Sequence, residues 1–154
     1  LQAFCRAART LGPKLAVLLF QLPPNFKKNL EVLASFLELL PEGLRAAFEF
    51  RHPSWLEPDV FETLRARNVA LCIADSEKLK TPVEITADFA YFRLRDEGYQ
   101  QEDLEQWAQV ISALGYTAAT PYAGHVNPAT TLLYDDQSQR RAIEGAEVVA
   151  RTIK

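Results

Sequence analysis

The sequence contains no methionine and has only two cysteines and two histidines among its 154 residues. A complete translation product begins with methionine, so we expect this chain to be a piece of a longer protein. Cys5 and Cys72 are far apart and lack CxxC spacing, which indicates neither a disulfide nor a zinc site. They are typical of buried, reduced thiols in a cytoplasmic protein.

Long apolar runs and concentrated positive charge are also missing. Because no stretch reaches about 18 apolar residues, the sequence predicts no membrane-spanning helix. The net charge of -3 gives no electrostatic argument for a nucleic-acid partner. The first ten residues lack the basic and then apolar layout of a secretory signal. We therefore expect a globular domain that binds neither nucleic acid nor membrane.

What the sequence does contain is a series of short apolar segments. Continuous apolar runs of this length are typical of strands buried on both faces in a parallel sheet. The segments are LAVLLFQLPP, RAAFEFRH, VALCIAD from Val69, DFAYFRL from Asp88 and a weaker one at residues 116–122.

Segments with helical periodicity alternate with these strands. Apolar residues repeat at helical spacing in residues 1–11, after Asn29, after Pro58 and between Leu104 and Leu114. Asn29 is a candidate N-cap. The dozen residues around Pro82 are too few for a full helix, so that crossover is predicted to lack one.

Alternating strands and helices predict right-handed βαβ units and a parallel sheet. Since a closed eight-stranded barrel takes roughly 250 residues, we predict an α/β fold that is part of a TIM-type (β/α) barrel. Its second half would contribute about five parallel strands. Residues 1–137 would form the partial barrel and residues 138–154 a helical tail of the same domain.

Polar side chains follow the predicted strands at their carboxyl ends, which is where ligands bind in barrels and in open α/β sheets. Glu49, Asp75 and His52 are the candidate catalytic residues. The candidate ligand-binding residues are Gln21, Arg51, Trp55 and Arg93. Glu49 and Arg51 share a face because side chains alternate along a strand, whereas His52 points the other way. Gln21 is expected to be a buried amide that needs hydrogen-bond partners.

These residue types suggest specific roles. Glu49 would be a general base or a metal ligand and Asp75 a second carboxylate, while Arg51 and Arg93 would anchor anionic groups and Trp55 would form an apolar wall. A divalent metal is therefore possible, although two histidines cannot make a three-histidine site.

Each residue also has a structural alternative. Glu49 and Arg51 could form a fixed ion pair. His52 could be a turn hydrogen-bonder, Trp55 a core residue and Asp75 a cap on the following turn.

Four segments together resemble the YecE-like proteins, a family with a domain of unknown function. They are LGPKLAVLLFQLPPNF, AAFEFRHPSW, VALCIADS and YFRLRDEGY, in matching order from Leu11 to about Gly115. The resemblance implies a TIM-type barrel related to sugar isomerases and marks the seven candidate residues, together with Pro23, as pocket residues. It also implies that an N-terminal portion is absent and that this chain is the C-terminal part. The paired asparagines usual in the family's last strand are replaced by residues 118–120.

The segment from Gly124 to Tyr134 permits another interpretation. It resembles the GH-x-x-x-x-TT-x-x-Y box of tyrosine recombinases, in which the tyrosine attacks DNA. That chemistry requires arginine and lysine partners from an upstream helical domain, and the preceding residues predict a barrel instead.

Two functions follow from the sequence. The first is binding or conversion of a small polar ligand, sugar-like or phosphorylated, at the carboxyl ends of the strands. The alternative is a non-catalytic fragment whose charges are structural and whose open sheet edge recruits a partner. In either case we expect self-association or pairing with a missing N-terminal half.

Overall fold

The computed structural model describes residues 1–75, 79–94 and 98–115, and the backbone of residues 117–119 and 132–135. The chain forms two compact units. The first unit contains Leu1–Cys72 and Pro82–Ala87, and the second contains Ile73–Thr81 and Asp88–Lys154.

The first unit contains strand β1 (Leu18–Gln21), strand β2 (Ala46–Glu49) and the beginning of strand β3 (Ala70–Asp75). β1 pairs with β2 in parallel, with Gln21 opposite Glu49. β2 pairs in parallel with β3, with Phe48 opposite Leu71. The parallel pairing predicted from the apolar runs is confirmed here.

Three helices lie in the first unit: α1 (Gln2–Arg9), α2 (Leu30–Glu38) and α3 (Pro58–Arg65). The Asn29 side chain accepts a hydrogen bond from Val32 N at 3.0 Å, which confirms the predicted N-cap of α2. Pro58 occupies the first turn of α3, where its missing N–H costs nothing. Short 3-10 turns cover Gly12–Lys14 and Pro53–Trp55.

The core of the first unit lies between its strands and helices. Its members are apolar side chains with at most 8% exposure: Leu33, Leu37, Ala46, Phe48, Phe50, Trp55, Val60, Phe61, Leu64, Val69 and Leu71. Burying a side chain of this size stabilises a fold by roughly 1.5–3 kcal/mol before entropy is counted. The apolar faces of α2 and α3 thus cover the sheet.

β1 differs from the prediction. Only Leu18 of its four residues is buried, and Gln21 is exposed, whereas every residue of β2 and β3 is buried. β1 has one neighbour, β2, among the strands that the structure describes. The expectation of a strand buried on both faces, with Gln21 as a buried amide, is therefore wrong. With no described strand on its other edge, β1 is left more exposed than the strands inside the sheet.

Thr86 forms hydrogen bonds with the backbone at the beginning of β3. Its hydroxyl accepts a hydrogen bond from Leu71 N and donates one to the carbonyl of Val69, both at 2.7 Å. The residue is buried, at 3% exposure. Residues 79–88 contain neither helix nor strand, in agreement with the expectation for this crossover.

The second unit contains the end of β3, strand β4 (Phe89–Leu94), helix α4 (Gln101–Ala113), strand β5 (Thr117–Ala119) and strand β6 (Leu132–Asp135). Asp103 in the first turn of α4 accepts a hydrogen bond from Gln100 N at 2.9 Å. Gly115, at φ 76°, follows the helix and ends it as predicted.

Strand β6 was not predicted. It lies between β4 and β5 and is antiparallel to both, with Tyr134 opposite Ala90 and Ala118. β5 falls within the predicted fifth strand, but its direct neighbour runs in the opposite direction. The fold is mixed α/β with four parallel strands, β1 to β4, in place of the expected five in succession. The predicted tail at residues 138–154 lies outside the described residues.

None of the helices in the described part of the chain has both the length and the apolar character needed to cross a membrane.

Candidate functional site

The carboxyl ends of β1 and β2 lie side by side in the first unit. Gln21 and Glu49 are register partners, and Leu22 N donates to the Glu49 carbonyl at 2.9 Å. Because parallel strands end at the same edge of a sheet, the next polar residues of both segments lie near one another. This edge brings together three of the predicted site residues: Gln21, Glu49 and Arg51.

Glu49 and Arg51 form an ion pair. Arg51 Nε donates to Glu49 Oε1 at 3.2 Å. The Glu49 side chain is 5% exposed and that of Arg51 is 40% exposed. A buried carboxylate requires such a partner, since leaving it unpaired costs several kcal/mol. The predicted shared face of these two residues is confirmed.

The guanidinium of Arg51 is used on one side only. Its Nε is held by Glu49, whereas its terminal nitrogens have no hydrogen-bond partner among the residues described. A guanidinium fixed at Nε presents its remaining donors in a rigid plane, the geometry that matches a carboxylate or a phosphate.

His52 belongs to the turn after β2. Its Nδ1 lies 2.8 Å from Ser54 Oγ and accepts from Ser54 N at 3.2 Å. Ser54 Oγ in turn accepts from Lys28 N at 2.9 Å. Since Nδ1 accepts from the Ser54 backbone, these contacts match the turn alternative for His52, and its catalytic role stays a prediction.

Trp55 lies in the core of the first unit. It is 1% exposed, its ring stacks on Phe50 at 4.8 Å, and its indole N–H donates to the carbonyl of Phe26 at 2.8 Å. These contacts match the core alternative. A role as a ligand wall stays a prediction.

Lys28 links two loops of the first unit. Its ammonium group contacts Glu57 and lies 2.9 Å from Asp59 Oδ2. The hydrogen bonds to Glu57 and Asp59 raise the pKa of Lys28 above its ordinary 10.5. The same contact with Lys28 lowers the pKa of Asp59 below its ordinary 3.8. All three side chains are at least partly exposed, so the cluster fastens the loops without forming a buried charged site.

Asp75 lies in the second unit at the end of β3 and is 5% exposed. Its Oδ2 accepts from Tyr99 Oη at 2.8 Å and from Trp107 Nε1 at 3.2 Å. Its Oδ1 is buried and has no hydrogen-bond partner among the described residues. Lys80 Nζ lies 3.7 Å from Oδ1, which is an ion-pair distance but too long for a normal hydrogen bond.

Arg93 is half-buried near the end of β4, also in the second unit. The predicted residues are thus divided between the units. Gln21, Glu49, Arg51, His52 and Trp55 belong to the first, and Asp75 and Arg93 belong to the second.

The contacts of Asp75 with Tyr99 and Trp107 were missed in the sequence. Because Trp107 falls in the apolar stripe of α4, the sequence suggested only a packing role for it. The available signal was the indole N–H, because a partly buried tryptophan needs an acceptor.

Metal binding receives no support within the described ranges. No group of three or more His, Cys, Asp or Glu side chains is placed to hold an ion there. Glu49 is paired with Arg51, and one oxygen of Asp75 is held by neutral donors. Both carboxylates thus already contact other side chains, and a divalent metal stays a prediction.

A cleft of about 450 Å³ lies in the first unit between α1 and the end of α2. Cys5, Arg6, Arg9 and Glu38 contribute to its lining, and none of the predicted site residues does. Cys5 and Cys72 are both buried, as predicted.

Comparison with known proteins identifies relatives of unknown function. The model of a family described as "Protein of unknown function DUF72" matches residues 1–153. This range includes the segment 124–134 that resembles a recombinase box, which favours its assignment to the family's own sequence. No curated protein matches the chain.

Two solved structures are similar. One is a DUF72 family protein from Thermotoga maritima MSB8, with a TM-score of 0.61 and 26% identity, over 74% of this chain and 54% of that one. The other is a DUF72 family protein from Enterococcus faecalis V583, with a TM-score of 0.50 and 16% identity, over 62% of this chain and 47% of that one. The chain spans about half the length of these relatives.

Proposed function

This chain belongs to the DUF72 family of proteins of unknown function, and on that premise we propose that its first unit binds the anionic group of a small polar ligand at the carboxyl ends of β1 and β2. The ligand class is a phosphorylated or carboxylated molecule with further polar groups. The observation that supports this proposal is the arrangement of Arg51: its Nε is held by the buried Glu49 carboxylate, its side chain is 40% exposed, and its terminal nitrogens have no hydrogen-bond partner among the described residues.

Arg51 is the anchoring residue in this proposal. Fixing the guanidinium through Nε removes part of the rotamer entropy that an exposed arginine would lose on binding. The terminal nitrogens then donate two parallel hydrogen bonds to the oxygens of a phosphate or a carboxylate. Glu49 acts as a positioning residue, since its carboxylate faces the arginine.

Gln21 supplies a neutral polar group at the same edge. It is exposed, and it is the register partner of Glu49 on the neighbouring strand. An amide at this position can donate to or accept from a ligand hydroxyl. The ligand would therefore carry an anionic group and at least one hydroxyl, which fits a sugar-like phosphate or acid.

We also propose that the four parallel strands belong to a (β/α) barrel in the longer protein. The alternation of strands and helices supports this architecture, as does the similarity to a solved family member about twice the length of the aligned region. Strand ends with polar residues would then line the mouth of the barrel.

The anion site is tested by titrating the full 154-residue chain with inorganic phosphate. The measurement is the shift of the backbone amide NMR signals of Phe50 and His52, the neighbours of Arg51. The Arg51→Lys variant keeps the charge and loses the planar pair of donors. We expect about tenfold weaker phosphate binding, the loss of roughly one charge-assisted hydrogen bond.

Arg67→Lys is the matched control. Arg67 is exposed in the same unit and has no side-chain partner among the described residues, so its replacement should leave phosphate affinity unchanged. The proposal is contradicted if the Arg51→Lys variant binds phosphate as tightly as the parent chain. It is also contradicted if Arg67→Lys loses as much phosphate affinity as Arg51→Lys does.

The non-catalytic alternative is favoured by one observation, the Glu49–Arg51 pair itself. If the pair is structural only, Glu49→Gln should lower the melting temperature and leave phosphate binding unaltered. If the pair positions Arg51 for a ligand, Glu49→Gln should weaken phosphate binding even at a temperature at which the variant is fully folded.

A further inference from the structure

We propose that the second unit contains a site for a neutral polyol, in which Asp75 accepts a hydrogen bond from a ligand hydroxyl and Lys80 donates one to the same hydroxyl oxygen. Nothing in this proposal depends on the anion site of the first unit. Tyr99 and Trp107 are the positioning residues of this site.

The Asp75 carboxylate is oriented by two neutral donors on one oxygen. Tyr99 Oη and Trp107 Nε1 both donate to Oδ2, at 2.8 and 3.2 Å. The Trp107 ring is itself held against Phe92, with centroids 5.9 Å apart in an edge-to-face contact. Oδ2 is therefore fully engaged, and the carboxylate plane is fixed.

Oδ1 is left with unused acceptor capacity. It is the one buried side-chain oxygen or nitrogen of the described, non-exposed residues that has no hydrogen-bond partner. Buried polar atoms are nearly always hydrogen-bonded, and an unsatisfied carboxylate oxygen costs on the order of a hydrogen bond or more. An atom in this state at the carboxyl end of a parallel strand indicates a place that a ligand donor completes.

The position of Lys80 determines the class of that donor. Its ammonium group balances the charge of Asp75 but lies 3.7 Å from Oδ1. A ligand ammonium would add a second positive charge beside Lys80, and a ligand anion would face a buried carboxylate. A hydroxyl suits both neighbours, because it donates to Oδ1 and accepts from the ammonium.

The proposal requires Lys80 to admit the ligand hydroxyl to Oδ1. The atom itself is buried, whereas the Lys80 side chain is 79% exposed. A long, exposed lysine reorients at little cost, so it can move aside and return to bind the hydroxyl oxygen. Several adjacent hydroxyls on one ligand would add contacts, which favours a polyol over a simple alcohol.

The two tryptophans of the chain provide the test. Trp107 donates its indole N–H to Asp75 in the second unit, and Trp55 donates its own to Phe26 in the first. The full chain labelled with ¹⁵N is titrated with myo-inositol and, separately, with D-glucose. We expect the Trp107 indole signal to shift with at least one of them while the Trp55 signal stays in place.

Two variants then identify the contacts. Asp75→Asn should weaken binding of the responding polyol about tenfold, because the charge-assisted acceptor is lost. Lys80→Ala should weaken polyol binding several-fold. Because Lys80 is exposed, this variant is not expected to unfold the chain. Lys27→Ala, an exposed lysine of the first unit, is the control and should bind as the parent chain does.

Several results would overturn the polyol site. These are an unmoved Trp107 signal with both polyols, equal shifts of both tryptophans, or unchanged affinity in the Asp75 and Lys80 variants. A Trp107 shift produced by ethylammonium chloride at lower concentration than by the polyols would also overturn it, since the ligand would then be a cation. The phosphate titration is measured at Phe50 and His52 and the polyol titration at Trp107, so this proposal and the anion site fail separately.

Discussion

Lys28 joins two segments of the first unit that are far apart in sequence, since Glu57 and Asp59 follow it by 29 and 31 residues. Its backbone N–H also holds Ser54. One side chain thus connects the loop after β1 to the beginning of α3. The contribution of this cluster to stability depends on pH, and the direction follows from the two shifted groups.

We expect the Lys28 cluster to stabilise the fold between the two ordinary pKa values, 3.8 and 10.5. The pKa of Asp59 is lowered on folding, so its contribution is present above pH 3.8 and is lost as pH falls through the lowered value. The pKa of Lys28 is raised, so its contribution is present below pH 10.5 and is lost as pH rises through the raised value.

Urea unfolding of the Lys28→Met variant measures this contribution. The variant should be less stable than the parent chain at neutral pH, and the difference should shrink below pH 3.8. Lys27→Met, at the exposed neighbouring lysine, should show no such pH dependence. A difference that stays constant down to strongly acidic pH would contradict the assignment.

For individual residues, the sequence predicted contacts between neighbours along a strand but did not predict contacts between residues far apart in sequence. The shared face of Glu49 and Arg51 follows from alternation over two residues. The contacts of Asp75 with Tyr99 and Trp107 span 24 and 32 residues. Local patterning contains no information on which acceptor a distant indole reaches. Gln21 was predicted to be buried because its apolar neighbours suggested an interior strand, and no local feature marks a strand as an edge.

The elements with strong periodicity or capping were predicted correctly. α2 begins after Asn29 because the side-chain oxygen satisfies one of the free N–H groups of the first turn. Its buried residues, Leu33 and Leu37, are four apart and face the sheet. β6 was missed because Leu132–Asp135 is short and its pairing partners are remote in sequence.

We expect Asn29→Ala to lower the free energy of unfolding by about 1 kcal/mol, because the N-cap hydrogen bond to Val32 is lost. Chemical denaturation of the full chain provides the measurement. Asn25→Ala is the control, since Asn25 is exposed in the preceding turn and its side chain has no hydrogen bond among the described residues. Equal stability of the parent chain and the Asn29 variant would show that the cap is not used in solution.

For the whole molecule, the decisive feature is that β1 has a single neighbour among the described strands. Leu18 N and Leu22 N bond to the β2 segment at Arg45 and Glu49. Backbone N–H groups alternate in direction along a strand, so the Leu19 N–H points away from β2. Such an edge offers hydrogen bonds to another chain.

We expect the 154-residue chain to associate in a concentration-dependent manner, as measured by sedimentation velocity. Leu19→Pro removes the outward N–H and should reduce association. Leu19→Ala shortens the same side chain but keeps the N–H, so it should associate more than the proline variant. A sharp monomeric peak at all concentrations, with cooperative melting, would argue against an open edge at β1.

The Thr86 hydroxyl donates to Val69 O and accepts from Leu71 N. In a sheet, such backbone groups usually bond to a peptide group of an adjacent strand. Valine has the same outline but would leave one buried donor and one buried acceptor unsatisfied. We therefore expect a Thr86→Ser variant to keep both hydrogen bonds and a Thr86→Val variant to be less stable. The constraint is on chemistry rather than on size, and it would be invisible in any hydrophobicity profile of the chain.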